Sequence, residues 1–187
     1  MRLLEKTPKN TLRLPFLRQV FPDARFIYLY REPREVLASM IEAWQSGRFR
    51  TYAELPGWSG LPWSLLLVPG WRELSGRPLE EVVAHQWLTT TNILLDDLQA
   101  LPATQVVPLR YADLVASPRE QVARLCARLD IPWDLTLDEL PLSRHTLTPP
   151  DPDKWRKHEL ALTRVLPSVA ATQARAESFL RDAGVDR

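Results

Sequence analysis

The chain is poor in several things at once, and each shortage excludes a class of protein. Its 187 residues hold one cysteine, Cys126, so an internal disulfide cannot form, and a lone thiol suits a reducing compartment. The formal net charge is +1, from 24 basic and 23 acidic side chains. There is no global field for nucleic acid or an anionic membrane, and any anion site must be local. The three histidines, His85, His145 and His158, show no metal-ligand spacing with Cys126 or with one another. The longest apolar run, "LPWSLLLVPGW", contains two prolines and falls far short of the roughly 20 residues that cross a bilayer. "MRLLEKTPKN" turns polar after two leucines, unlike a secretory signal. All six glycines follow residue 46, and none precedes Ser or Thr in a phosphate-loop context. The serines lack the setting of a nucleophile elbow. Together these features predict a single-domain cytoplasmic protein with no metal, no membrane partner and no nucleic-acid partner.

Proline, by contrast, is abundant, and most of the 17 prolines stand where elements begin or end. Residues 11–20, "TLRLPFLRQV", place Leu14, Leu17 and Val20 at helical spacing, with Pro15 tolerated in the first turn. "RFIYLY" is apolar without polar alternation, which predicts a parallel strand covered on both faces. Pro33 then opens a helix to about Trp44, with Glu35 favourable to its dipole. Residues 45–77 read as a lid or irregular insertion with short helical turns; Trp58, Trp63 and Trp71 there suit either an acceptor pocket or the core. "PLEEVVAHQWLTTTNILLDDL" predicts a long helix over 78–98, with His85 packed inside it.

"TQVVPLRY" predicts a short strand, and Pro108 an edge or bulged position. Ser117, Pro118 and Glu120 read as the N-cap, N1 and N3 of a capping box opening the next helix. Residues 141–158 read as a loop, and a last helix is predicted from about Leu166 to Ala183, stopped at Gly184. The order of elements describes an α/β layer with a partly parallel sheet.

In such sheets ligands bind beyond the carboxyl ends of the strands, where the next helix begins with unpaired N–H groups. Arg31 stands at that end. Its guanidinium can grip a phosphate with two parallel hydrogen bonds, and Ser39, about a turn and a half into the helix, can add a hydroxyl. The same spacing also fits a plain structural role, with Arg31 paired to Glu35 and Ser39 a small packing residue.

The residues carry a resemblance at this point. "YREPREVLAS" resembles the 3′-phosphate-binding motif of the sulfotransferases that use 3′-phosphoadenosine 5′-phosphosulfate (PAPS), a strand-end arginine with a helix serine eight residues on. "EKTPKNTLRLPFLRQVFPDARFIYLYR" is similar to the segment before that motif in the bacterial and tyrosylprotein-like branch. "VVPLRYADLVASPREQVARLCARLDIPWD" resembles the family's later strand and its "RYEDL" element, and "PDPDKWRKH" its C-terminal basic segment. The four blocks stand in family order over most of residues 4–160.

The resemblance implies a partial P-loop-type, three-layer α/β fold with a short parallel sheet and a large helical share. It also implies a sulfotransferase, moving a sulfuryl group from PAPS to an acceptor hydroxyl or amine without a metal. Lys6 matches the lysine that would stabilise the leaving phosphate. Glu5, just before it, matches the glutamate that serves as the base in the glycosaminoglycan branch, while the histidine used in the small-molecule branch is replaced here by Pro8. Tyr111 matches a nucleotide-contacting tyrosine; Lys154 and Arg156 match a segment that closes on the cofactor phosphates, with Trp155 as its anchor. The family's phosphosulfate-binding loop normally lies before the "KTP" element, at which this chain begins. Residues 1–187 are therefore expected to be one domain, the C-terminal portion of the family fold. Without that loop and its strand, "RFIYLY" would expose an edge that a partner segment or second copy would cover. Two other readings stay open: a relative that binds adenosine 3′,5′-bisphosphate without turnover, and a helical interaction module. A peptide tyrosine, a sugar, a lipid and a small alcohol are all compatible acceptors.

Overall fold

In the computed structural model, which describes residues 3–133, 147 and 151–185, a two-stranded parallel sheet packs one face on helices. Half of the expected loop over 141–158, and His145 with it, lies outside the described residues.

A 3-10 turn, Pro8–Leu12, leads into α1, Leu14–Val20, with Pro15 in the first turn as its missing N–H allows. Strand β1, Phe26–Tyr30, follows, then α2, Pro33–Ser46, which ends on Gly47 in the left-handed conformation that glycine adopts at no steric cost. The middle segment holds two very short strands, β2 (Arg50–Tyr52) and β3 (Trp63–Ser64), paired antiparallel, and a 3-10 turn at Trp71–Leu74. Then come α3 (Leu79–Gln99), β4 (Val106–Arg110), α4 (Tyr111–Ala116) and α5 (Pro118–Arg128). The last helix is α6, Glu159–Asp182, preceded directly by a 3-10 turn, Lys154–His158.

β1 pairs with β4 from Phe26 opposite Val106 to Tyr30 opposite Arg110. The register is tied at its start by long-range bonds: Arg25 donates to the Thr104 carbonyl, and Gln105 Nε2 to the Pro22 carbonyl at 2.7 Å. Pro108 lies within β4, whose five residues are all buried. β1 departs from the expectation of two covered faces. Tyr28 and Tyr30 are buried, but Ile27 is 36% and Leu29 48% exposed. Side chains alternate across a strand, so one face of β1 is packed and the other open. An apolar run alone does not tell a two-sided strand from a one-sided one whose open face happens to be apolar.

The packed face rests on α3 and α6. Glu80 meets Arg164, Asn92 meets Thr172 and Asp96 meets Arg175, so the two helices run parallel. Their first halves join α2 in one core with Trp44, Trp63 and Trp71, and their second halves join Tyr28, Tyr30 and Val106 in another. The tryptophans stack edge-on, Trp58 to Trp63 at 4.7 Å and Trp44 to Trp63 at 5.3 Å between centroids, and so complete the core. Gln86 of α3, 1% exposed, serves the polar atoms this packing buries. It accepts from Trp44 Nε1 at 2.9 Å and donates to the carbonyls of Ser64 and Leu66 at 3.1 and 2.7 Å.

Two boundaries depart from the sequence reading. α6 begins seven residues before Leu166 and carries Pro167 inside it. The buried stripe Leu162, Val165 and Val169 runs across the proline, and its packing outweighs the one lost hydrogen bond. At α5, Ser117 and Pro118 stand where expected, but the N-cap side chain makes no capping bond. Glu120 pairs with Arg124 at 2.6 Å and is not folded back on the cap.

Gln86→Leu keeps the side-chain size while orphaning a buried indole N–H and the Ser64 carbonyl. It should lower unfolding free energy by about 2–4 kcal/mol in a urea titration; a loss below roughly 1 kcal/mol would show the network to be dispensable.

Candidate functional site

Both strands of the parallel pair end in an arginine and a tyrosine, in opposite order: Tyr30-Arg31 after β1, Arg110-Tyr111 after β4. Partners in a parallel register share a face, and successive residues alternate. The inversion therefore sets each arginine beside the tyrosine of the other strand. Arg110 lies over the Tyr30 ring at 5.5 Å and Arg31 over the Tyr111 ring at 4.8 Å, two cation–π contacts crossing the sheet end.

The two arginines are held differently. Arg110 is 8% exposed, and its Nε and Nη2 are buried without a hydrogen-bond partner in the described residues. Arg31 is half-buried and donates from Nε to Glu35 Oε2 at 2.9 Å, one turn into α2. The structural pairing with Glu35 and the strand-end position thus coexist, because Glu35 engages only one edge of a guanidinium with five N–H donors.

The junction between β1 and α2 is fixed from the far side by α6. Glu32, the N-cap of α2, makes no side-chain cap. Its carboxylate accepts from Gln173 Nε2 at 3.3 Å, and the same amide donates to Glu177 Oε1 at 3.0 Å. Tyr30 donates its hydroxyl to Glu177 at 3.4 Å. Burial, then the nearby Glu177 charge, push the Glu32 carboxyl above its ordinary value, against the opposing pull of Arg34 and Arg110. Burial also raises the Tyr30 hydroxyl, with Glu32 and Glu177 adding to it.

Ser39 is exposed on α2, eight residues after Arg31 and four after Glu35, so the three share a helix face. Lys154 reaches that helix too: its Nζ lies 2.6 Å from Glu42 Oε2. Trp155 lies under two guanidinium groups, Arg34 at 5.1 Å and Arg156 at 5.0 Å, and packs on the core, the anchoring role expected of it. Arg156 itself is exposed and paired with Asp153 at 2.9 Å, which holds its charge more firmly. The structure thus brings Arg31 and Tyr111 into contact and sets Ser39 and Lys154 along α2. It does not join Glu5 or Lys6 to them: both are exposed in the extended segment before the first 3-10 turn, with no hydrogen bond or ion pair to those residues among the described residues.

Arg110, Glu42 and Gln173 were not singled out by the sequence. The inverted dipeptides after two apolar strands were a visible signal for Arg110. Gln173 lies 141 residues from Glu32 and gave none. Among the described residues no cluster of His, Cys, Asp and Glu is arranged to hold a metal, and no helix is long and apolar enough to cross a membrane.

Residues 1–135 match the profile described as Sulfotransferase family. The chain is 25% identical over 126 residues to the omega-hydroxy-beta-dihydromenaquinone-9 sulfotransferase Stf3 of Mycobacterium tuberculosis, covering 67% of this chain and 28% of that protein. It is 27% identical over 150 residues to a Caenorhabditis elegans protein named as a candidate protein-tyrosine sulfotransferase, covering 76% of this chain and 48% of that one. A solved sulfotransferase domain from the curacin biosynthetic pathway superposes with a TM-score of 0.50 at 20% identity, over 70% of this chain and 39% of that domain. The last likeness is one of fold. The chain spans between about a quarter and a half of the length of these proteins.

A carboxyl raised on folding favours the folded state when protonated, below its ordinary 4.5, and loses that contribution as pH rises through its folded value. Glu32→Gln, which can still accept from Gln173, should therefore unfold later than the parent chain at pH 7. Thermal melts should show the gap closing as pH falls toward 4.5; a gap that widens in acid would contradict this.

Proposed function

The chain belongs to the sulfotransferase family, and on that premise we propose that it binds PAPS at the carboxyl ends of β1 and β4 and serves transfer of the sulfuryl group to an acceptor hydroxyl. The observation that carries this reading is Arg31, set over the Tyr111 ring at 4.8 Å and tied to Glu35 by Nε. Its two terminal nitrogens can offer parallel hydrogen bonds to the 3′-phosphate. Ser39 adds its hydroxyl from the same helix face, and Tyr111 lends its ring edge to the nucleotide. Lys154 and Arg156 stand on the C-terminal segment as further cations for the phosphates.

In the reaction the acceptor oxygen attacks sulfur in line with the bridging oxygen of the phosphosulfate. The S–O bond to that oxygen breaks, the sulfuryl group passes to the acceptor, and adenosine 3′,5′-bisphosphate leaves with the bridging electron pair. Charge grows on the leaving oxygen, where Lys6 would stabilise it, and the acceptor's proton must pass to a base, for which Glu5 is the candidate. The names of the mycobacterial and nematode relatives specify a hydroxy-menaquinone and a tyrosine, which favours a hydroxyl over an amine.

Lys6 is exposed in the segment before the first 3-10 turn, which favours a second reading, a chain that holds the nucleotide without turnover. Isothermal titration with adenosine 3′,5′-bisphosphate should give saturable binding that Arg31→Ala weakens roughly a hundredfold, as expected when a charged, bidentate contact is lost. Equal affinities would remove Arg31 from the site. Lys6→Ala should cut turnover about a hundredfold with product-nucleotide affinity unchanged under the first reading; absence of turnover in the parent chain leaves the second.

A further inference from the structure

The proposed site makes no use of Glu42, yet two lysines converge on its carboxylate. Lys154 Nζ lies 2.6 Å from Oε2 and Lys157 Nζ 4.0 Å from Oε1. The side chains of Lys154 and Glu42 are 19% and 16% exposed, so their pair is largely withdrawn from the solvent screening that makes surface ion pairs weak. Removing one member of such a pair leaves the other charge uncompensated.

Its place on α2 gives the pair a meaning. Arg31, Glu35, Ser39 and Glu42 follow one another at spacings of four, four and three, and so form a single stripe along the helix. Along that stripe Glu35 holds Arg31 and Glu42 holds Lys154, with Ser39 between them. Ser39 and Glu42 are about 4.5 Å apart along the axis. The turn Lys154–His158 is fastened to the same helix a second time, by Trp155 under Arg34, and runs without a break into α6.

We infer that Glu42 is a positioning residue for the nucleotide site: it pins Lys154, and with it the Lys154–His158 turn, to the Ser39 face of α2. This rests on the nucleotide reading given above. An ammonium has three donors, so a contact to Glu42 leaves two for phosphate oxygens. A long side chain already ordered in the free protein loses less freedom on binding. The carboxylate, which in isolation would repel a phosphate, acts here by delivering a cation.

Glu42→Gln keeps the size and removes the charge. Titration with adenosine 3′,5′-bisphosphate, on samples shown to be folded by circular dichroism, should give about tenfold weaker binding for Glu42→Gln and for Lys154→Met, with the double variant no weaker than either. Glu42→Asp, which keeps the charge, should recover part of the loss. Where Glu42→Gln does not fold, Lys154→Met beside Glu42→Asp carries the same comparison. Unchanged affinity in folded Glu42→Gln, or losses that simply add in the double variant, would overturn the positioning role while leaving the nucleotide site intact. A parent chain with no saturable binding would overturn the site and this role together.

Discussion

The crossed pairing of Arg31 with Tyr111 and Arg110 with Tyr30 is the constraint on which the rest of the molecule turns. It exists only in one register. A slip of a single residue between β1 and β4 would move each side chain to the other face of the strand, placing Tyr28 and Tyr30 on the open side and ending both contacts. The bonds from Arg25 and Gln105 at the strand starts, and the ring contacts at the strand ends, hold the register from both directions. A sheet of two strands is marginal by itself, and here the parallel helices α3 and α6 supply the face that makes it stable.

From that fixed end the chemistry spreads along α2. The helix is held at its start by Glu32 on Gln173, and toward its end by Glu42 on Lys154 and by Trp44 on Gln86. Three different segments of the chain thus position one helix, and the helix in turn positions Arg31 and Ser39. The arrangement relies on buried and partly buried polar groups. Such groups are costly unless satisfied, and their satisfaction here by long-range partners fixes one geometry over others.

Much of this was legible in the sequence because local chemistry specified it. Pro33 and Gly47 bracket α2, Pro118 opens α5, and the apolar stripe over 79–98 became α3 nearly as read. Arg31 and Ser39 could be named because a strand end and a helix spacing are local patterns. What was hidden depended on distance along the chain. β1 looked two-sided because Ile27 and Leu29 are as apolar as Tyr28 and Tyr30, and only the pairing of elements decides which face is covered. α6 looked shorter because Pro167 is a local stop signal that a buried stripe overrides. The ties to Glu42 and Glu32 join residues more than a hundred positions apart, where no spacing rule reaches.

The most direct test of the account is a crystal structure of the chain with adenosine 3′,5′-bisphosphate bound. The 3′-phosphate is expected within hydrogen-bond distance of the terminal nitrogens of Arg31 and of Ser39 Oγ, with the Tyr111 ring still beneath the guanidinium. A nucleotide bound away from the ends of β1 and β4, or an Arg31 that has left Tyr111 to reach it, would contradict the claim that the crossed strand ends build the site.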